Sequence, residues 1–520
     1  MPDLIFQVHP HPVALHPDSE QRALDASVAL LHDLARRRIS MTHVLTAGAA
    51  RRTINPPLGT GKAGLRLFGS PIQAFESDLT ATVLVLDDRG TKVAIVATDL
   101  CVMSLAEADR LRATVATALG ISTAHVLLNL SHNHSAPALP EFMAMTDTAE
   151  DVPFRTRYER DLSTWLAEAA REAGARLQPS RIGCGWGESD IGVYRRETRD
   201  GHDVLGEVPG HPIDTSVGVI RVDDLDGNPI ATLFRYSAHP VTVGSRSQVA
   251  STDYPGPARD VVERNLGGLA LFLQGCGGNV NPRVGIGYEV DCSDTKNRVG
   301  LELGGEVLKV AARIRTNTRP GARRPLGNVP NILFTPWERI ESTDTCTCLA
   351  AVETTVALDY DVLPTLDRAR EIHEHWRRLV EERCAGGALD WEIRAARKYE
   401  HWAANLVAAV EHGHPTHELR VQAIRVNDIV VNAHSMEVFF ETGLDIRARS
   451  PHPDTFVLGY SNGLHGYLPR AEDYPEGGWS LDESYAVPDL IPQAWGMPVI
   501  LHPDSAERAV EASLELIGRL

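Results

Sequence analysis

Short apolar runs broken by Gly, Pro, Asn and Asp alternate along this chain with longer stretches of helical periodicity, a mixed α/β pattern. Residues 80–86 and 93–97 are apolar runs joined by Asp87-Asp-Arg-Gly, which predicts a hairpin. Residues 214–222 and 229–236 flank Asp226-Gly-Asn and predict another. Ser104-Leu-Ala-Glu107 has capping-box spacing and opens a helix to about Leu119. Further helices are expected over 154–176, 258–265 and 294–315. Residues 364–411 alternate charged and apolar positions as an exposed antiparallel helical hairpin does, an insertion spanning about 360–412. Leu24, Val28, Leu31 and Leu34 follow Asp18 and Ser19 at helical spacing, predicting a helix over 17–38 in an N-terminal extension, residues 1–40. Strands return at 419–424, 429–431 and 456–459, and a helix beginning at Ser435 carries Glu437 in its first turn. Residues 46–62 are too rich in Gly and Pro for regular structure and read as a long loop. No internal repeat is visible.

One run organises the rest. Residues 126–130 predict a buried strand that delivers Ser131, His132, Asn133 and His134 at its end, and Pro137 stops it. Alternate strand residues share a face, so His132 and His134 project into one cavity and Asn133 points away. Two imidazoles there suit a catalytic divalent metal, and the bland reading is a polar loop with solvated histidines. The strand 229–236 ends with the same grammar, Tyr236-Ser-Ala-His239-Pro240. Residues 270–282 run from a strand into a glycine loop, which either brings backbone N–H groups and Asn279 to a ligand or is a tight turn without one. Arg195 and Arg196 lie beside a strand, as a bidentate grip on a substrate carboxylate or as a salt-bridged surface. Asp253 either orients a metal-bound histidine or caps the helix after it. His373, His375, His401 and His412 fall on the charged hairpin and read as solvated.

With 520 residues, the chain holds two to four ordinary domains or one large enzyme domain with insertions. A formal charge of −18 argues against nucleic acid or an anionic membrane as the main partner. The N-terminus lacks the basic and apolar regions of a secretory signal, and no run of about 18 apolar residues predicts a spanning helix. The seven cysteines are scattered. Cys346 and Cys348, the only close pair, lack a second pair at zinc-ribbon spacing, which favours buried free thiols in a reducing, cytoplasmic setting.

Several stretches, in order from about residue 46 to 480, resemble the catalytic module of the neutral/alkaline non-lysosomal ceramidase family. Ser131-His-Asn-His-Ser-Ala-Pro137 is similar to its Thr-His-Thr-His-Ser-Gly-Pro signature. His239-Pro240 resembles its second His-Pro. Phe272-Leu-Gln-Gly-Cys-Gly-Gly-Asn-Val-Asn-Pro282 is similar to its Gly-Asp-(Val/Ile)-Ser-Pro loop. Glu437 with Gly443, and Tyr467 followed by Tyr474-Pro-Glu-Gly-Gly, resemble its Glu…Gly and Tyr…Glu-Gly-Gly stretches. The resemblance implies a mixed α/β domain of stacked sheets flanked by helices, residues 41–520. It implies one zinc ion per chain held by His132, His239, Glu437 and Tyr467. His134, Asn279, Asn281 and Tyr474 are expected in the catalytic set, His134 and Asn279 as oxyanion donors, and the residues themselves suggest Arg195, Arg196, Asp253 and His465 towards the substrate. Zinc lowers the pKa of its water towards about 7. The expected activity is hydrolysis of a non-peptide C–N bond by metal-bound water, with an ester, lactone or glycosidic bond, or a non-catalytic binding role, as the alternatives. Asn281 and Asn279 stand where the family has serine and aspartate, Ala136-Pro-Ala replaces Gly-Pro-Gly, and neither an export signal nor a C-terminal immunoglobulin-like domain is expected. The substrate is therefore expected to be small and polar rather than ceramide. Nucleic acid and membrane insertion are not expected, and a homo-oligomer is left open.

Overall fold

The strand Thr80–Asp87 is buried on both faces. Ala81, Val83 and Val85 enter one core while Leu84 and Leu86 enter another, so its sequence reads as an almost continuous apolar run. The computed structural model describes residues 45–63, 71–137, 139, 152–199, 202–243, 247–287, 293–341, 348–413, 416–476 and 496–520. The expected N-terminal helix, Cys346 and the Gly477-Gly478 pair lie outside these.

Thr80–Asp87 belongs to an eight-stranded sheet in the spatial order Leu269–Gln274, Pro229–Tyr236, Ser216–Asp224, Gln178–Glu188, Thr46–Thr53, Thr80–Asp87, Lys92–Thr98, Val126–Leu130. Pairing is antiparallel except at the two ends, where the outermost strand on each side runs parallel to its neighbour. Each parallel step needs a crossover, and a helix makes it: Leu105–Leu119 on one side, Pro255–Leu266 on the other. The sheet is thus two copies of one unit, three strands, a helix, a strand and a helix, joined where Thr46 faces Pro179. This repeat is one of topology, and it leaves no repeat visible in the sequence.

The outer face of the large sheet is covered by Leu105–Leu119 and Val152–Ala175 over one half, and by Pro255–Leu266 and Ser293–Ala311 over the other. The inner face packs on a four-stranded sheet, Leu349–Leu358, His417–Val426, Ile429–His434 and Asp454–Leu458, with Leu84, Ile95, Leu233 and Leu271 against Ile424, Val431 and Phe456. The helix Ser505–Ile517 closes the far side of the small sheet. Helices, sheet, sheet and helices make the stacked α/β arrangement expected. The charged hairpin is formed by Leu366–Ala385 and Asp390–His412, with Trp376 stacked on Tyr399 at 4.4 Å. His375, His401 and His412 on it are exposed and His373 is half-buried. Among the described residues, no helix is long and apolar enough to cross a membrane.

Two local expectations are corrected. Residues 46–53 form a strand, not a loop, and their small side chains are a packing requirement: a Cβ on Gly48 would lie 2.2 Å from the Ala173 carbonyl oxygen of the covering helix. Glu437 lies in the two-residue strand Glu437–Val438, and the helix starts only at Phe440. The described cysteines are free, but Cys348 and Cys384 are exposed, so the expected burial holds for Cys101 and Cys276.

Candidate metal centre

The two outermost strands of the large sheet meet at their C-terminal ends. The Asn129 side chain accepts from Gln274 N–H at 2.8 Å and donates to the Gly459 carbonyl at 3.1 Å, tying in the end of Asp454–Leu458. Past this knot the chain segments carrying His132, His239, Glu437 and Tyr460 converge.

His132 and His134 do share one cavity, with Nε2 atoms 3.0 Å apart, but strand alternation does not bring them together. The strand ends at Leu130, His132 turns into the left-handed region at φ 59°, and His134 sits in the following turn. Tyr460 is left-handed as well, at φ 52°, and its ring lies 4.6 Å from that of His132. Such positions cost non-glycine residues about 1–3 kcal/mol each and cluster where a site needs a particular side-chain direction. Asn133 points away, as expected, donating to the Ser251 carbonyl and accepting from Ser135 N–H.

Hydrogen bonding assigns the imidazole protons. His132 Nδ1–H donates to the Cys101 carbonyl at 3.1 Å, and His239 Nδ1–H donates to the Gly277 carbonyl at 2.8 Å. Each ring therefore turns a lone pair on Nε2 towards Glu437, at 3.3 Å for His132 and 3.0 Å for His239. Burial holds His132, His134 and His239 well below the ordinary histidine pKa, so all three are neutral at pH 7. Lone pairs then face carboxylate oxygens, and among the described residues His239 Nε2 and Glu437 Oε1 are buried without a hydrogen-bond partner. Acceptor against acceptor at this range is unfavourable unless a cation lies between them, so the residues fit a divalent metal. A second cluster, Cys101, His132 and His134, fits less well, because Cys101 Sγ faces the Nδ1 side of His132 already used by the carbonyl.

Tyr467 stands beside Glu437 because Glu437–Val438 and Tyr467–Leu468 pair in parallel, Glu437 opposite Tyr467. Its hydroxyl hydrogen-bonds Glu437 and accepts from Arg195 Nη2 at 2.9 Å. Arg195 also donates to the Gly278 carbonyl at 2.8 Å and to the Asn281 side-chain oxygen at 3.2 Å, so Arg195 and Asn281 form one wall of the site.

Other expected residues are drawn elsewhere. Arg196, on the opposite strand face, is held by Asp203 at 2.7 Å and Asp473 at 3.0 Å, so the tandem arginines do not form one grip. Asn279, expected as an oxyanion donor, accepts from Phe440 N–H at 3.1 Å and donates to Glu441 at 2.9 Å, fastening a helix start. Tyr474 donates to the Leu501 carbonyl at 2.7 Å, a structural use of the hydroxyl assigned to catalysis. Asp253 accepts from Thr242 Oγ1, Val243 N–H and Tyr254 N–H, bracing the loop after His239-Pro240 without touching a histidine itself. The His465 ring packs 5.0 Å from that of His417, at the start of the strand His417–Val426 of the small sheet.

Sequence reasoning missed two neighbours of the site and one buried ion pair. Tyr460 donates to Glu437 Oε2 at 3.2 Å, and Lys62, fully buried, lies close enough to His134 to help depress its pKa while donating to the Ser247 carbonyl. Asp99 and Arg259 form a bidentate pair at 2.9 and 2.8 Å between the two halves of the sheet. A lysine ending a Gly-rich stretch and an aspartate just past a strand were the only signals, and neither is specific.

No family model matches the sequence, and no curated protein matches it. The layers, their order and the strand-end site define a ceramidase-like fold. Neutral ceramidase from Pseudomonas aeruginosa has a crystal structure similar to this chain with a TM-score of 0.60, 16% identity, and coverage of 92% of this chain and 75% of that one. A ceramidase complexed with C2 gives a TM-score of 0.59, 14% identity, and coverage of 92% and 76%. At these identities the likeness is one of fold.

Proposed function

We propose that this protein is a zinc-dependent hydrolase that cleaves a non-peptide amide bond in a small polar substrate. The observation that carries the reading is the convergence of two neutral, Nδ1-anchored imidazoles on the buried carboxylate of Glu437. His132, His239 and Glu437 would hold the ion, together with Tyr467, which stands beside Glu437. When bound, zinc supplies a Lewis acid and a water whose pKa is brought to about 7. The Cys101 and Gly277 carbonyls fix the tautomer and direction of the two imidazoles.

His134, neutral and adjacent, donates Nε2–H towards charge developing on the scissile carbonyl oxygen. Arg195 holds the Tyr467 hydroxyl in place and, with Lys62, gives the surroundings of His134 positive potential. That potential, with Asn281 on the wall, favours a substrate carrying hydroxyls or a carboxylate over a long acyl chain, since desolvating these groups without polar partners is costly. The ceramidase neighbours support amide chemistry by analogy of fold alone.

The test pairs elemental analysis with turnover. One zinc per chain is expected, lost in His132→Ala and His239→Ala and kept in His373→Ala, with short polar N-acyl compounds turned over at higher kcat/KM than long-chain ceramide in detergent. Absence of any first-row transition metal after zinc is supplied sinks the metal site. Better turnover of ceramide, or turnover of esters alone, sinks the substrate assignment.

A further inference from the structure

Just after the helix Ser293–Ala311, the chain makes a two-stranded ribbon over residues 318–339. Thr318–Pro320 pairs antiparallel with Trp337–Arg339, and farther out Arg324–Leu326 pairs with Val329–Phe334. Its base is fastened to the body. The Arg315 guanidinium lies 4.3 Å from the centre of the Trp337 ring, Arg339 bridges Asp226 at 2.5 Å, and Asn317 donates to the Asp226 carbonyl at 2.8 Å.

Beyond the base, Leu326, Ile332, Leu333 and Phe334 are 51%, 50%, 50% and 38% exposed, and Trp337 at the base is 53% exposed. Ile332 and Phe334 alternate with Leu333, so these apolar side chains stand on both faces of the ribbon. A ribbon lying on the protein body would bury one face, whereas residues 322–328 and 330–334 of this one are exposed throughout. Isolated two-stranded ribbons are at best marginally stable in water, and their open edges invite pairing. Exposed apolar surface concentrated in one projecting element is the mark of an interaction site.

Charge selects the partner. Residues 318–339 carry four arginines against one glutamate, a net +3, on a chain whose total is −18, so the remainder carries −21. An anionic lipid surface attracts the ribbon but repels the body behind it, whereas the acidic body of another copy attracts the ribbon without that opposition. We propose that the ribbon is a dimerisation arm: each copy's arm is covered by the other copy, its apolar side chains buried and Arg323 and Arg324 facing acidic surface. Reciprocal use of the same patch by both copies closes the assembly at two.

Sedimentation of the full chain across the micromolar range tests this. The wild type is expected to sediment as a dimer whose affinity falls with added salt. Ile332→Asp/Phe334→Asp, and separately Arg323→Glu/Arg324→Glu, are expected to raise the dissociation constant by about tenfold or more with unchanged circular dichroism and zinc content. A wild type that is monomeric throughout, or a dimer that survives both variants, overturns the proposal. Ribbon-dependent flotation of a monomeric wild type with phosphatidylserine vesicles overturns it in favour of a lipid surface.

Discussion

Replacing Glu437 by glutamine separates the two forces acting at the cluster. In the wild type, Glu437 oxygens face His239 Nε2 at 3.0 Å and His132 Nε2 at 3.3 Å, and among the described residues His239 Nε2 and Glu437 Oε1 lack hydrogen-bond partners. A buried group left unsatisfied costs about 1–3 kcal/mol. Glutamine keeps the shape, removes the charge and turns an amide N–H towards one of those lone pairs. The metal-stripped variant is therefore expected to be more stable than the metal-stripped wild type. At roughly 2.1 cal/mol/K per residue, 520 residues unfold with an entropy near 1 kcal/mol/K, so the gain amounts to about 1–3 °C in Tm. Zinc reverses the order, because free metal at about 1,000 times Kd stabilises the wild type by about 4 kcal/mol and the variant loses most of that.

The pH dependence carries a further sign. Burial pushes the Glu437 carboxyl above its ordinary pKa, so its folded value exceeds the unfolded one. Its contribution to metal-free stability is complete at low pH and is lost as pH rises through the folded value, while glutamine does not titrate. The variant's advantage should widen with pH. The assay is differential scanning calorimetry in chelator and in zinc across neutral pH. A variant less stable than the wild type in chelator would refute the acceptor conflict, and an undiminished zinc shift would remove Glu437 from the metal site.

His134→Ala should keep its zinc and lose about a hundredfold or more in kcat, as for a lost oxyanion donor, and zinc lost in parallel would make His134 a ligand. His434 is buried between the Leu458 carbonyl and Ser513 Oγ, and burial lowers its pKa from 6.5 to about 4. Neutral in the folded protein, it leaves the unfolded chain to take up the proton first, so stability is lost as pH falls from 6.5 towards 4, by about 3 kcal/mol at most. Urea unfolding should show that slope in the wild type and a flatter one in His434→Gln, and parallel slopes would mean the imidazole is not held neutral.

The elements were largely legible because their signals are local. The hairpin around Asp87-Asp-Arg-Gly, the capped helix from Ser104 and the apolar run before His132 each follow from neighbouring residues. The metal-binding candidates His132 and His239 could be picked out because each follows an apolar run that a proline then stops, whereas Glu437 and Tyr467 came only through the family resemblance. Local pattern misled where packing sets composition: Gly48 and its alanine neighbours look like a loop until the helix pressed against them is in view.

Tertiary structure alone decided which groups meet. Arg195 and Arg196 are adjacent in sequence, yet pairing of Gly192–Arg199 with Val280–Pro282 sends the first to Asn281 and Tyr467 and the second to Asp203 and Asp473. Asn279 looked like a ligand group and is spent on the start of a helix more than 150 residues away. Tyr460 and Lys62 gave no usable signal and lie at the site because separate strand ends and loops converge there. The doubled unit of the large sheet was invisible because burial constrains each position only to be apolar and of suitable volume, a condition many residues meet. A side chain's partners across the fold are set by strand pairing and backbone turns such as the left-handed one at His132, and residues near it in sequence carry no record of those.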